Sequence, residues 1–152
     1  MMFGIFKKKV YFQHHLLGTF KKVFGNLWQR ENYNFHGQEI DLNIHGDENR
    51  PYEKNVKQYI DFENDYKNRI TAINNALLAE YRNYYLMLKK EGFEIKLPDQ
   101  KKVNDIDKLF SLISINSSEN ISLDYGFYDS YDDTWFKVAL TDEGIDVFYD
   151  FT

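Results

Sequence analysis

The first third of the chain contains short stretches in which apolar and polar residues alternate. The clearest lies at residues 39–45, where every second residue is isoleucine or leucine. A period of two is typical of a strand that buries one face. Residues 16–24 and 27–35 give two weaker stretches, and glycine-containing turns separate all three. We therefore predict a β-meander over residues 10–46.

The middle of the chain has a longer period. Apolar residues in the segment 52–90 recur at spacings of three and four, as in an amphipathic helix. The stripe consists of Val56, Tyr59, Ile60, Tyr66, Ile70, Ile73, Leu77, Tyr81, Tyr84 and Leu88. Pro51 and Gly92 supply the start and stop signals. An unbroken helix of this length would span about 58 Å, so we predict a break or bend near Asn64–Asn68, where Glu63 interrupts the stripe. A coiled-coil extension is the alternative.

The last third returns to short alternating stretches. Residues 103–109 predict a short helix, and Asp142-Glu143-Gly144 predicts a tight hairpin turn. The predicted strands cover residues 112–116, 121–128, 134–141 and 145–151. Strands at both ends of a central helix are typical of an α+β fold. We predict an antiparallel β-sheet from N-terminal and C-terminal meanders, covered by a long, bent helical segment.

Size and composition fit one domain over residues 1–152, with a helical part at 52–91 and a short helix and meander at 103–151. A hydrophobic share of 43% is ample for a core. The chain has no cysteine, which excludes disulfides and thiolate metal sites and fits a cytoplasmic location. No stretch approaches the ~20 apolar residues of a membrane span.

Charge is distributed unevenly along the chain. Residues 1–30 sum to +6, and residues 117–152 sum to −8, within a net charge of −5. Such asymmetry concerns partners and association more than fold. The acidic end argues against nucleic acid as a partner, because its carboxylates repel phosphates. The basic end has no nucleic-acid-binding motif to support such a role.

Motifs for catalysis and metal binding are absent from the sequence. No GxSxG, P-loop, GxGxxG or HExxH pattern occurs, so we expect no enzyme activity, no cofactor and no metal site. Among the histidines, His36 and His45 are the pair that could meet across a hairpin. The acidic stretch Asp129–Asp133 lacks the alternating carboxylates and the glycine of an EF-hand loop, so solvated turn aspartates are favoured.

Acids and aromatic residues are interleaved near the C-terminus. Alternate residues of a strand point to opposite faces, so some of these aromatics are expected at the surface beside the acids. Exposed aromatics beside charged groups are typical of protein-binding surfaces. The candidate partner-binding residues are Asp124, Tyr125, Asp129, Tyr131, Asp132, Asp133 and Trp135.

Three stretches carry a resemblance to bacterial families of unknown function. They are RITAINNALLAEYRNYY at residues 69–85, the segment His15-Leu16-Leu17-Gly18 with Trp28 after it, and the final strands from Ile121 through Val138. The families that these stretches resemble are small cytosolic α+β proteins, often found among immunity and accessory proteins of toxin systems. The resemblance implies the fold and an immunity role, and it brings no active site with it.

Together these observations predict a protein–protein interaction module with a basic protein partner. Its most concrete form is an immunity-type inhibitor of a basic toxin such as a nuclease, since an acidic surface can steer association with such a partner. The alternative is a small hydrolase or ligand-binding enzyme with a pocket between helix and sheet.

Overall fold

A computed structural model describes residues 8–99, 106–127 and 134–150. Strands occupy two groups, separated by a single long helix, α1, at Glu53–Lys90. The strands are β1 (Tyr11–His14), β2 (Gly18–Lys22), β3 (Leu27–Phe35), β4 (Gln38–His45), β5 (Phe110–Ser117), β6 (Ile121–Phe127), β7 (Trp135–Thr141) and β8 (Gly144–Asp150). A 3-10 turn at Ile106–Lys108 precedes β5. The predicted α+β class is confirmed.

All eight strands form one sheet, and their order in space is their order along the chain. Neighbouring strands are antiparallel except at the centre, where β4 and β5 run parallel and Asp41 lies opposite Ser114. A parallel pair needs a long crossover connection, which α1 provides. Within the described residues the architecture is therefore two layers, a sheet and one helix.

Helix α1 packs along one face of the sheet. At its start, the Asn55 side chain donates to the His45 carbonyl over 3.0 Å, and the Ser117 hydroxyl donates to the Asn55 carbonyl over 2.7 Å. Near its other end, the Tyr84 ring lies 5.0 Å from that of Tyr149 in β8. The helix thus crosses from the centre of the sheet towards its last strand.

The helix is continuous through Asn64–Asn68, so the first of the two predicted possibilities, a break, does not occur there. The residue expected to interrupt the apolar stripe is accommodated by hydrogen bonds. One oxygen of Glu63, Oε1, accepts from the Tyr33 hydroxyl at 2.6 Å and from the Tyr59 hydroxyl at 3.2 Å. A buried polar group that finds such partners no longer disfavours packing.

The core lies between the helix and the sheet. Most of the predicted stripe is buried there, and Ile60 and Ile70 are partly buried at its margin. Aromatic rings fill the C-terminal half of the core, where Tyr84 and Phe136 meet edge to face with their centroids 5.8 Å apart. Such pairs add to the free energy gained from burial alone.

The N-terminal strands differ from the prediction in one respect. The stretch 16–24 is not one strand, because residues 15–17 form a turn between β1 and β2. The Nδ1 atom of His14 accepts hydrogen bonds from the backbone N–H groups of Leu16 and Leu17, which fixes that turn. A side chain that hydrogen-bonds its own backbone two or three residues on favours turns over strands.

Candidate protein-binding surface

The sheet has a second face, opposite α1, which we call the open face. No element among the described residues covers it, because the single helix lies on the other side. The strands β6 and β7 show the expected consequence, since buried and half-buried residues alternate along both of them. A sheet face left to solvent normally carries polar residues at every second position.

A row of hydrogen-bonded side chains crosses this open face. Gln29 donates to Asn43 over 3.0 Å, and Asn43 donates to Asn116 over 3.0 Å. Asn116 in turn donates to Oδ2 of Asp124 over 2.8 Å, and the Ser114 hydroxyl donates to the same oxygen over 2.8 Å. The row thus ends at the Asp124 carboxylate, where two donors meet on one oxygen. The row links β3, β4, β5 and β6 and holds its side chains in fixed positions.

The other oxygen of Asp124 faces β7. Oδ1 lies 3.5 Å from the Lys137 ammonium, and it accepts no hydrogen bond from the described residues. The same ammonium lies 5.5 Å from the centre of the Trp135 ring, within reach of a cation–π interaction. The side chains of Asp124 and Lys137 remain 26% and 30% exposed. A cation, a carboxylate and an aromatic ring are therefore available side by side on the open face.

Apolar side chains stand beside these charges. Ile113 in β5 is 52% exposed and Phe148 in β8 is 46% exposed. The Ile113 side chain lies over Gly126, and any Cβ at that position would come within 3.2 Å of it. Phe148 is paired with Lys137 across β7 and β8. Exposed apolar residues next to charged ones are a common composition for protein interfaces.

The structure separates the predicted site residues. Asp124 and Trp135 both lie on the open face. Asp124 is in β6, two strands from the edge strand β8, and Trp135 is in β7, next to β8. The placement of Tyr125 contradicts its predicted role: it is 5% exposed and packs in the core against Phe110, because adjacent residues of a strand point to opposite faces. Burial raises the pKa of its hydroxyl. Asp129, Tyr131, Asp132 and Asp133 lie outside the described residues.

The uneven charge of the sequence becomes a charge difference across the sheet. Because the strands follow chain order, the lysines lie at the β1 side and the C-terminal acids at the β8 side. We call Lys8, Lys9, Lys21 and Lys22 the basic edge, and Asp142, Glu143 and Asp146 the acidic edge. Seven strand spacings of ~4.8 Å separate β1 from β8, which is about 34 Å measured along the sheet. The sequence revealed the charges but not their separation in space.

The two histidines that were predicted to meet across a hairpin, His36 and His45, lie apart. His36 precedes β4 and His45 ends it, so the strand keeps the two apart. The described residues contain no group of three or more histidine, aspartate or glutamate side chains able to hold a metal ion. The ring of His36 instead hydrogen-bonds the Glu63 carbonyl at 3.1 Å.

A recess of about 490 Å³ lies between β1 and the start of α1. His14, His15 and Arg50 contribute to its lining. The Arg50 guanidinium forms a salt bridge with Glu53 at 3.2 Å and lies 4.9 Å from the Phe12 ring centre. Burial, His15 and Arg50 together lower the pKa of His14. The recess thus has polar groups, and several of them already interact with one another.

Comparisons with protein-family models, with curated proteins and with solved structures find no match to this chain. The resemblance to bacterial families of unknown function therefore remains a prediction. In the part of the chain that the structure describes, no helix has the length and apolar character needed to span a membrane.

Proposed function

We propose that this protein is a protein–protein interaction module that binds a basic partner through the open face and the acidic edge. Its most concrete form is an immunity-type inhibitor of a basic toxin such as a nuclease. The observation that carries the proposal is a broad sheet face, uncovered by any described element, that combines Asp124, Trp135 and Phe148 with an adjacent acidic edge.

The polar row supports this proposal because it limits the cost of binding. Side chains that become ordered at an interface lose about 0.5–1.5 kcal/mol each in conformational freedom. Asn43, Asn116 and Asp124 are already held by hydrogen bonds to their neighbours. A partner therefore meets a surface whose polar groups are positioned before contact.

The acidic edge supports the choice of a basic partner. Its three described acids are exposed, and Lys137 is the only basic residue in the sequence from 117 to 152. A concentrated negative charge accelerates encounter with a positive surface and discourages partners that are acidic. A nuclease must bind phosphates, so its substrate site attracts the same carboxylates.

The test is capture of a partner from the native host, followed by association kinetics at low and high salt. Changing the acidic edge to Asp142→Asn, Glu143→Gln and Asp146→Asn should slow association and reduce its dependence on salt. A matched control removes the same charge from exposed acids outside the open face, Glu48, Glu91 and Glu94. The acids Asp129, Asp132 and Asp133, changed together to asparagine, test the remaining predicted residues in the same assay.

The aromatic part of the surface should control dissociation instead. Trp135→Ala removes the ring beside Lys137 and should raise the dissociation rate while leaving the salt dependence of association unchanged. An acidic partner would contradict the proposal. So would association rates that respond equally to the acidic-edge variant and its matched control.

The alternative function is a small hydrolase or ligand-binding protein, and one observation favours it. The recess beside β1 lies between helix and sheet, where such a pocket was predicted, and it brings His14, His15 and Arg50 together. A small molecule that raises the melting temperature of the wild type but not of His15→Ala would support this alternative.

A further inference from the structure

The last strand of the sheet has a long outer edge. β8 covers seven residues, and within the described part of the chain no strand pairs with it on the side away from β7. An unpaired edge offers backbone N–H and C=O groups to another strand. We infer that β8 binds an extended basic segment of a partner protein by strand addition. This inference rests on the proposed function, since it takes the basic partner from there.

The register shows which backbone groups are available. β7 and β8 are joined by the two-residue turn Asp142-Glu143, which closes on the pair Thr141–Gly144. The pair of residues that flanks such a turn exchanges backbone hydrogen bonds. Along the rest of an antiparallel ladder, hydrogen-bonded pairs alternate with pairs that are not hydrogen-bonded to each other. When the residues are counted from Gly144, every second one, including Asp146 and Phe148, directs its backbone N–H and C=O groups to β7. Ile145 and Val147 direct theirs outwards.

The two faces of β8 define the side chains that an added strand should carry. Asp146 and Phe148 lie on the open face, so a lysine or arginine of the added strand opposite Asp146 would form an ion pair with it. Ile145 and Val147 lie on the helix side and are partly buried in the core. The added strand should therefore alternate basic residues on the open face with apolar residues on the helix side.

A second copy of the chain is a poorer occupant. Its own basic edge has the right charge, but β1 is only four residues long. The Lys22 N–H donates to the Val10 carbonyl over 2.9 Å, which sets the register of that hairpin. By the same alternation, only Tyr11 and Gln13 of β1 direct backbone groups outwards. A β8-to-β1 contact would also be head-to-tail, leaving both outer edges free to continue into a filament.

The first experiment uses a short capped peptide that alternates lysine and valine, with a glutamate–valine peptide as its control. Amide hydrogen exchange on the full chain should slow at Ile145 and Val147 when the basic peptide is added. Exchange at Asp146 and Phe148, which already pair with β7, should change little. The acidic peptide should not bind. Binding of the basic peptide without added protection at Ile145 and Val147 would overturn strand addition.

The second experiment removes one outward donor. Val147→Pro deletes the N–H that the added strand would use, and proline is tolerated on an edge strand when that group faces solvent. Val147→Ala is the matched control, because it shortens the side chain and keeps the N–H. We expect Val147→Pro to weaken peptide binding roughly tenfold relative to Val147→Ala. Equal affinities of the two variants would overturn the inference, provided that circular dichroism shows both folded.

The outcomes separate this inference from the proposed function. If a captured basic partner depends on the acidic edge but tolerates Val147→Pro, the function stands and strand addition fails. If the basic peptide protects the amides of Ile145 and Val147 while no basic partner is found in the host, strand addition stands and the function fails. Head-to-tail oligomers of the free protein in sedimentation would assign β8 to a second copy and overturn the inference.

Discussion

The two edge strands of this sheet differ in length, charge and support. β1 has four residues, lies beside the lysines of the basic edge, and contacts the core mainly through Phe12, whose ring lies 6.5 Å from that of Trp28. β8 has seven residues, lies beside acids, and contacts the helix directly through Tyr149. Short strands and lysines are common protections against unwanted edge pairing. β1 has both of these protections and β8 has neither, so β8 is the edge better suited to the strand addition that we propose.

The largest expected effect comes from the helix that supports the β8 side. Leu77 is fully buried, and Leu77→Asp would place a carboxylate in the core. We expect a loss of about 3–5 kcal/mol in the free energy of unfolding, measured by urea denaturation. Ala79→Asp, two residues further on the exposed side of the helix, is the control and should lose less than about 1 kcal/mol. Similar losses for the two variants would show that the helix does not cover the sheet as described.

A smaller effect should distinguish the two edges themselves. Tyr149→Ala removes a ring that lies 5.0 Å from Tyr84 and 5.5 Å from Phe136, measured between ring centres. Phe12→Ala removes a ring whose contact with Trp28 is longer, at 6.5 Å between ring centres. We expect losses of about 2–3 kcal/mol and about 1–2 kcal/mol respectively, from thermal or urea unfolding. A larger loss for Phe12→Ala would reverse the comparison.

The smallest effect concerns pH and belongs to the β1 side. The Nδ1 atom of His14 accepts two backbone hydrogen bonds, and burial together with His15 and Arg50 lowers the pKa of the imidazole from its ordinary value of 6.5. The unfolded chain therefore binds the proton first as pH falls. The contribution to stability is fully present above about pH 6.5 and is lost as pH decreases towards the lower folded pKa.

His14→Asn tests that contribution, because an asparagine side chain can still accept the turn hydrogen bonds but does not titrate. The free energy of unfolding, measured between neutral and mildly acidic pH, should fall less steeply for this variant than for the wild type. Parallel curves would show that His14 does not titrate differently in the folded and unfolded states.

A second contrast concerns Tyr33 in β3, whose hydroxyl does not titrate in the same pH range as His14. Burial and the hydrogen bond to Glu63 raise the pKa of Tyr33 to about 12. The Tyr33 hydroxyl therefore keeps its proton across the range in which His14 changes charge. Any loss of stability on mild acidification should then be assigned to groups other than the Tyr33 hydroxyl.

Periodicity in the sequence predicted the fold class and most of the helix core. It predicted the strand pattern because burial on one face requires alternation, as in β4. It failed at Glu63, because the tyrosine hydroxyls that satisfy this carboxylate come from β3 and from the preceding helix turn. A partner that lies 30 positions away, as Tyr33 does, is not visible in a local pattern.

The candidate surface was predictable only in part. The acids and aromatics near the C-terminus were predicted to form a binding region, but Tyr125, one of those candidates, is buried on the helix side. The polar row was missed, although Gln29, Asn43 and Asn116 each occupy a polar position within a predicted strand. The order of the strands in the sheet could not be predicted from the sequence. Asn43 lies beside Asn116 only because β4 pairs with β5 in parallel.

That central pairing also has a consequence for how the chain folds. Asn43 and Asn116 are 73 positions apart, whereas the other neighbouring strands follow one another along the chain. Local hairpins form early because their loops are short, and closing a long loop costs additional entropy. The joining of β4 to β5, with the helix laid across them, should therefore be the slow step of folding. A change at Ser114 or Asn116 should retard refolding more than an equally destabilising change within either hairpin at the edges.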